Sequence, residues 1–303
     1  MTYFEANILD LAGRLPDMTL RFEEPMSLHT SFRIGGKARA MVFPRNAEQL
    51  KEILKVYDLL GSKPIILGAG TNVLAPDEGI FDLVVCLKDC LDGIELLEGD
   101  RIRVMAGVTM TRAAIFAANH GLSGMEFAHG IPGTVGGGVF MNAGAYGGEI
   151  CQICESVDVM DVNGNVRTYS NADMEFSYRH SVLEEAGGIV VSTVFCLKPG
   201  DPVQIKAKMK ELMAKRSASQ PLDLPSAGSA FKRPVGGYAA ALIDQAGLKG
   251  FAVGDAAIST KHAGFAVNLG NATAEDVKSL LKQVSDIVFT HSGIRLEPEI
   301  RIW

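Results

Sequence analysis

Downstream of Asn46 the apolar positions change period repeatedly. Between Asn46 and Leu60 they fall at Ala47, Leu50, Ile53, Leu54, Tyr57 and Leu60, the spacing of one helix face, and Pro64-Ile65-Ile66-Leu67 then reads as a buried strand. Short β-rich runs follow at Leu83–Leu87, Ile94–Leu97 and Arg101–Ala106, with Glu98-Gly99-Asp100 as a hairpin turn, before helical spacing resumes from Thr111 to His120. Asn163-Gly164 predicts a tight turn between Val157–Val162 and Val166–Tyr169, because this dipeptide readily takes positive φ. Another strand is expected at Ile189–Leu197. A lysine-rich amphipathic helix from Pro202 to Arg216 leads into Ser217–Gly228, where Pro221 and Pro225 among small residues mark a domain boundary. Beyond it, Thr273 and Asp276 form a capping-box pattern ahead of the stripe Val277, Leu280, Leu281, Val284, Ile287 and Val288, and the chain closes in a strand at Glu299–Trp303. The mixture predicts an α+β protein without internal repeats.

Composition narrows the classes of function. A chain of 303 residues has room for two or three packed units, and 47% hydrophobic with 21% charged residues excludes wholesale disorder. A net charge of −6 with six scattered histidines offers no basic face, so neither nucleic acid nor an anionic membrane is an expected partner. Met1 to Asp17 lacks the order of a signal peptide and no apolar run reaches the length of a membrane span, which makes the cytoplasm the expected location. Five cysteines give no disulfide framework. Cys151 and Cys154 form a CxxC pair that Cys86 and Cys90 could complete to a zinc site, but the CxxxC spacing is less typical and no histidine pattern supports it. We read these cysteines as small buried hydrophobes and expect no metal.

Glycine is the outlier, at 33 residues, and it clusters. Gly68-Ala69-Gly70-Thr71-Asn72 directly follows a strand, where a turn of small residues lets backbone N–H groups reach a phosphate, although it is not the GxGxxG of a Rossmann unit. By itself this segment reads as a plain strand-to-loop turn. The second cluster is denser: Gly130-Ile131-Pro132-Gly133-Thr134-Val135-Gly136-Gly137-Gly138, then Asn142-Ala143-Gly144-Ala145-Tyr146-Gly147-Gly148. Pro132 could open a short helix there, with the glycines admitting another backbone or a pyrophosphate. A glycine-lined helix contact is the plainer alternative. Two such loops together favour a dinucleotide.

These segments, with Thr30-Ser31-Phe32-Arg33-Ile34-Gly35-Gly36, Ser177-Tyr178-Arg179, Gly228-Ser229-Ala230-Phe231-Lys232 and Leu296-Glu297-Pro298-Glu299, resemble the UDP-N-acetylenolpyruvoylglucosamine reductase (MurB) family over nearly the whole chain. An insertion found after the Tyr-Arg segment in some members is missing, since Ser181 leads within a few residues to Ile189–Leu197, which resembles the shorter subtype. The resemblance implies an α+β fold with a vanillyl-alcohol-oxidase (PCMH)-type FAD-binding domain and a smaller substrate domain. The expected arrangement is an FAD-binding region over 1–216 with its core at about 30–198, a substrate-binding domain over 217–298, and a strand at 299–303 returning to the catalytic cleft.

The implied reaction is reduction of UDP-N-acetylglucosamine enolpyruvate to UDP-N-acetylmuramate in peptidoglycan synthesis, with non-covalent FAD and with NADPH as co-substrate. The protein is expected to act as a monomer or weak oligomer. By resemblance Ser229 is the proton donor, Arg179 the stabiliser of the developing enolate, and Glu299 a second polar group at the same centre. A guanidinium fixed in a dry site suits charge that appears only in the transition state. The FAD contacts are expected from Arg33, Gly68, Ala69, Gly70, Thr71, Asn72, Gly130, Pro132, Gly133, Thr134, Gly136, Gly137, Asn142, Gly144 and Ala145. Substrate contacts are expected from Tyr178, Lys232, Lys261 and His262. Two other readings stand beside this one: an oxidase of the same flavin fold, and a sugar-nucleotide-binding protein without redox chemistry.

Overall fold

The computed structural model describes residues 2–59, 63–88 and 90–303; Leu60, at the end of the expected helix, lies outside them. The chain divides into two compact units. The first takes Met1–Phe22, Ala40–Ala69 and Asp82–Met213, the second Glu23–Arg39, Gly70–Phe81 and Ala214–Trp303. The break expected at 217 thus falls near 213, but the 1–216 region is not one body. Two of its segments group with the C-terminal residues because Phe32, Ile34 and Leu74 are buried in the same core as Ala227, Phe231 and Val284.

In the first unit an antiparallel sheet orders Val166–Ser170, Cys154–Met160, Ile189–Cys196, Arg101–Met105 and Ile94–Leu97. Ile189–Cys196 is central, and seven of its eight residues are buried, which is why it reads as a continuous apolar run rather than an alternation. The Glu98-Gly99-Asp100 turn forms as expected, with Gly99 and Asp100 at φ 72° and 60°. The Asn163-Gly164 turn is longer than a two-residue hairpin, because Met160 pairs with Val166. The Asp161 carboxylate accepts the N–H groups of Asn163 and Asn165, which closes a wider loop and holds that carboxyl below its ordinary value of 3.8. The helix Ala47–Leu59 buries Leu50, Ile53, Leu54 and Tyr57, as its periodicity predicts. The helix Met110–Asn119 is capped by Thr109, whose Oγ1 accepts from Arg112. The helix Tyr3–Arg14 carries a full capping box at Thr2 and Glu5 that the expectations missed.

The second unit packs a sheet ordered Ser226–Ser229, Phe265–Asn268, Ala256–Ile258, Ala252–Val253 against the helix Ala274–Ser292. The predicted capping box is present: Thr273 Oγ1 accepts from Asp276 N–H, and the Asp276 carboxylate accepts from Thr273 N–H. Five residues of the predicted stripe are buried, and Ile287 is partly so. The C-terminal strand is short, Arg301–Ile302, and pairs in parallel with Val73–Leu74.

Candidate active site

Within the first unit the two glycine clusters meet. A Cβ on Gly68 would lie 2.6 Å from Thr134 Oγ1, so only glycine lets the 68–69 backbone approach the 134 loop this closely. Thr134, 2% exposed, caps the helix Val135–Phe140, and its Oγ1 accepts from Gly137 N–H at 3.4 Å. The helix therefore opens at Val135, three residues later than the expected Pro132, because Thr134 at the cap supplies the side-chain acceptor that a proline lacks. Gly133 stands at φ 150°. Gly136 and Gly138 are close-packing glycines, whose Cβ positions would lie 2.9 Å from Ala106 Cβ and from Met110 Sδ. The plainer reading, a glycine-lined helix contact, holds for those two. Gly137 differs, since its Cβ would meet nothing nearer than Thr134 Oγ1 at 3.5 Å.

The Gly144 loop receives the side chain of Arg179. Ser177 and His180 exchange backbone hydrogen bonds at 3.2 Å, making a tight corner with Tyr178 and Arg179 at its tip. Arg179 takes φ 57°, a left-handed conformation costly for a residue with a Cβ, and its Nη2 donates to Gly144 O at 3.3 Å. Its guanidinium lies 5.1 Å from the centre of the half-exposed Tyr178 ring. Asn142, 1% exposed and at φ 42°, lies beneath: Nδ2 donates to Ser177 O at 2.9 Å and Glu149 Oε2 at 3.1 Å, while Oδ1 accepts from Cys151 N–H at 3.0 Å. Its side-chain polar groups are thus engaged within the protein. Glu149 was missed in the sequence, although its spacing to Gln152 matches the capping pattern found there. Burial drives the Cys154 thiol up to about 12 and also raises Cys151, which favours the protonated thiol over the thiolate at both. Cys196 departs from the expectation of burial and lies exposed on its strand.

In the second unit, Ser229 ends a strand and runs beside the 297–299 segment. Ala230 O accepts from Glu299 N–H at 3.0 Å, Glu297 O accepts from Lys232 N–H at 2.8 Å, and Phe231 bridges Pro298. Ser229 and Glu299 are both partly buried. Asn72 joins them: its Nδ2 donates to Glu299 O at 3.1 Å, and its O accepts from Arg301 N–H at 3.0 Å. Gly70, at φ 62°, could not carry a Cβ, which would lie 2.0 Å from His29 O. Glu297 is exposed and pairs with Lys232 Nζ at 2.6 Å, which separates it from Glu299, the carboxylate selected by the motif. Arg33 is exposed at φ 56°. Lys261 Nζ donates to Ser217 O at 2.7 Å, and His262 Nδ1 accepts from Gly264 N–H at 3.1 Å. Burial keeps the His262 ring below its ordinary value of 6.5, so it is the neutral form that accepts this bond.

A dinucleotide suits these parts. In the first unit the groups at the 68–69 and 133–137 turns are backbone amides and the Thr134 hydroxyl, and a Cβ at Gly68 would collide with that hydroxyl. No group of three His, Cys, Asp or Glu gathers at metal-binding distance among the described residues.

Residues 38–170 match the family model of an FAD binding domain, and residues 220–303 that of the UDP-N-acetylenolpyruvoylglucosamine reductase C-terminal domain. The chain is 44% identical over 297 residues to the UDP-N-acetylenolpyruvoylglucosamine reductase of Streptococcus thermophilus strain ATCC BAA-491 / LMD-9, covering 98% of this chain and 97% of that one. The chain belongs to the UDP-N-acetylenolpyruvoylglucosamine reductase family. It is 43% identical over 288 residues to the reductase of Streptococcus pneumoniae strain 70585, at 95% coverage of both. The crystal structure of the Thermus caldophilus reductase superposes with TM-score 0.80 at 36% identity, covering 94% of this chain and 98% of that one. An alkyldihydroxyacetonephosphate synthase superposes on 65% of this chain and 41% of its own, with TM-score 0.50 at 14% identity, a likeness of fold alone. Family and fold are those the motifs implied: an α+β flavin fold in an FAD-dependent oxidoreductase. No described helix is long and apolar enough to cross a membrane.

Proposed function

We propose that this chain, in the cytoplasm and as a monomer or weak oligomer, reduces UDP-N-acetylglucosamine enolpyruvate to UDP-N-acetylmuramate, with Arg179, Ser229 and Glu299 as the reacting groups. The near-full-length likeness to reductases of that name carries the reading. FAD, when bound, supplies the redox chemistry by accepting hydride from NADPH and passing it to the β-carbon of the enolpyruvyl ether. The residues assigned to hold it are Arg33, the 68–72 loop, Gly130, the 132–134 turn, Gly137, Gly144 and Ala145, where neutral amides meet a pyrophosphate without a lysine cluster.

Negative charge then builds on the substrate carboxylate. The Arg179 guanidinium opposes it, more strongly as the charge grows, and its left-handed backbone pre-sets the side chain. Ser229 Oγ–H gives its proton to the α-carbon and is reprotonated from solvent, so the double bond gains one hydride and one proton. Glu299, on the segment bonded to Ala230, is the second polar group of that step. Tyr178, Lys232, Lys261 and His262 contact the substrate. Lys232 is the more available of the two lysines, since its ammonium pairs with the exposed Glu297 carboxylate, whereas Lys261 is tied to a carbonyl.

The test is the visible spectrum of purified protein under nitrogen. Flavin bands that bleach with NADPH and return with the enolpyruvyl substrate are expected. Absence of flavin after FAD is supplied would favour the non-redox binding protein, and rapid oxygen consumption with an alcohol would favour the oxidase. Acid precipitation should release the flavin into the supernatant, because Thr71 and Asn72 stand where a covalent attachment would need a histidine or cysteine.

A further inference from the structure

Arg179 is held in a backbone conformation that an arginine does not choose for itself. At φ 57° it sits in the left-handed region, and such residues persist only where the surroundings over-determine them. Its corner, closed by the reciprocal Ser177–His180 bonds, is short and its tip is open: Tyr178 is 44% exposed. Besides the His180–Glu185 pair at 2.9 Å, two buried side chains tie the corner down. Ser181, fully buried, donates to Phe140 O at 2.8 Å. The other is Asn142.

Both amide hydrogens of Asn142 are committed, one to Ser177 O on the corner and one to Glu149 Oε2, and its oxygen takes the Cys151 N–H. At 1% exposure the side chain can exchange none of these for water. The residue is itself left-handed, which asparagine tolerates better than other residues with a Cβ. Two residues on, Gly144 O accepts from Arg179, so one strained loop both carries Asn142 and receives the guanidinium. We propose that Asn142 is a positioning residue for the substrate step: it fixes the Ser177 carbonyl, and through it the direction of Arg179, rather than contacting FAD. The inference rests on the role of Arg179 given above and assigns Asn142 a place in the substrate step that a cofactor contact would not have.

The two half-reactions separate these roles. Asn142→Asp keeps the shape and the acceptor for Cys151 but removes both donors and sets a carboxylate against Glu149. In rapid mixing under nitrogen, the variant is expected to bleach with NADPH within about twofold of the parent rate, while recovery with enolpyruvyl substrate slows about 10- to 100-fold, the scale of a buried bond left unmade. Hydrogen exchange over residues 177–180 should speed up in the same variant, a change that cofactor contact alone would not cause. Equal slowing of both steps with loss of flavin would make Asn142 a cofactor ligand and overturn the proposal, and so would unchanged rates. Should Asn142→Asp not fold, Asn142→Gly keeps the backbone conformation and removes the side chain. In the unsubstituted protein, both Asn142 amide protons should exchange slowly by NMR; fast exchange would sink the idea without any variant. A parent protein that never bleaches with NADPH would instead defeat the functional reading itself.

Discussion

Arg179 and the Ser229–Glu299 pair are held by different means. The arginine sits at a strained corner, closed by the Ser177–His180 backbone bonds, that the buried side chains of Asn142 and Ser181 anchor to neighbouring segments. Ser229 and Glu299 lie on backbone that exchanges main-chain bonds through Ala230, Gly264 and Glu297. A group fixed by side chains can be released by a substitution elsewhere, whereas one fixed mainly by a backbone ladder is less sensitive to its neighbours' side chains. The glycines differ in the same way. Gly148 in the first unit has no room, its Cβ position lying 2.5 Å from the Phe127 ring, while Gly228 in the second has nothing within 4 Å and needs glycine only for φ 77°.

The sharpest break of this comparison is at Ser229. Ser229→Ala should lower turnover by about 10²–10⁴ with flavin content unchanged, because general-acid help is lost while the ladder stays. Steady-state rates and the flavin-to-protein absorbance ratio check it, and flavin lost along with activity would remove Ser229 from the chemistry. Next come the glycines. Gly148→Ala should destabilise by about 1–3 kcal/mol through overpacking, and Gly228→Ala by about 1 kcal/mol through backbone strain. Denaturant midpoints of the two variants decide this, and the reverse order would contradict the account of crowding.

Lys232→Met should change stability by less than about 1 kcal/mol, since the ion pair with Glu297 is exposed, and yet raise KM for the sugar nucleotide. An unaltered KM would leave Lys232 as no more than a surface pair. The smallest effect is expected at His262. Its folded-state value is lowered by burial, so the unfolded chain binds the extra proton more readily and stability falls as pH drops below about 6.5. His262→Gln should flatten that part of the stability curve, as measured by melting temperature between about pH 7 and 5; a profile unchanged from the parent would place the pH dependence elsewhere.

Much of this was legible in the chain. The helix at Ala47–Leu59, the hairpin at Glu98-Gly99-Asp100 and the capping box at Thr273 follow from local spacing and turn chemistry, which need no distant partner. The motifs also single out Arg179, Ser229 and Glu299, whose roles rest on the family resemblance. The helix start at Val135, capped by Thr134, rather than at Pro132 was not legible, since it turns on which side chain reaches Gly137 N–H.

By itself the sequence determined element types, the apolar stripes and the family, because periodicity and ordered motifs are written in consecutive residues. Tertiary structure decided the rest. It grouped Phe32, Ile34 and Leu74 with a core some two hundred residues further on, reserved Gly136 and Gly138 for close packing, and engaged Asn142 beneath Arg179. Those outcomes depend on which distant groups meet in space, and a buried amide or an absent Cβ acquires its meaning only from the atoms it faces.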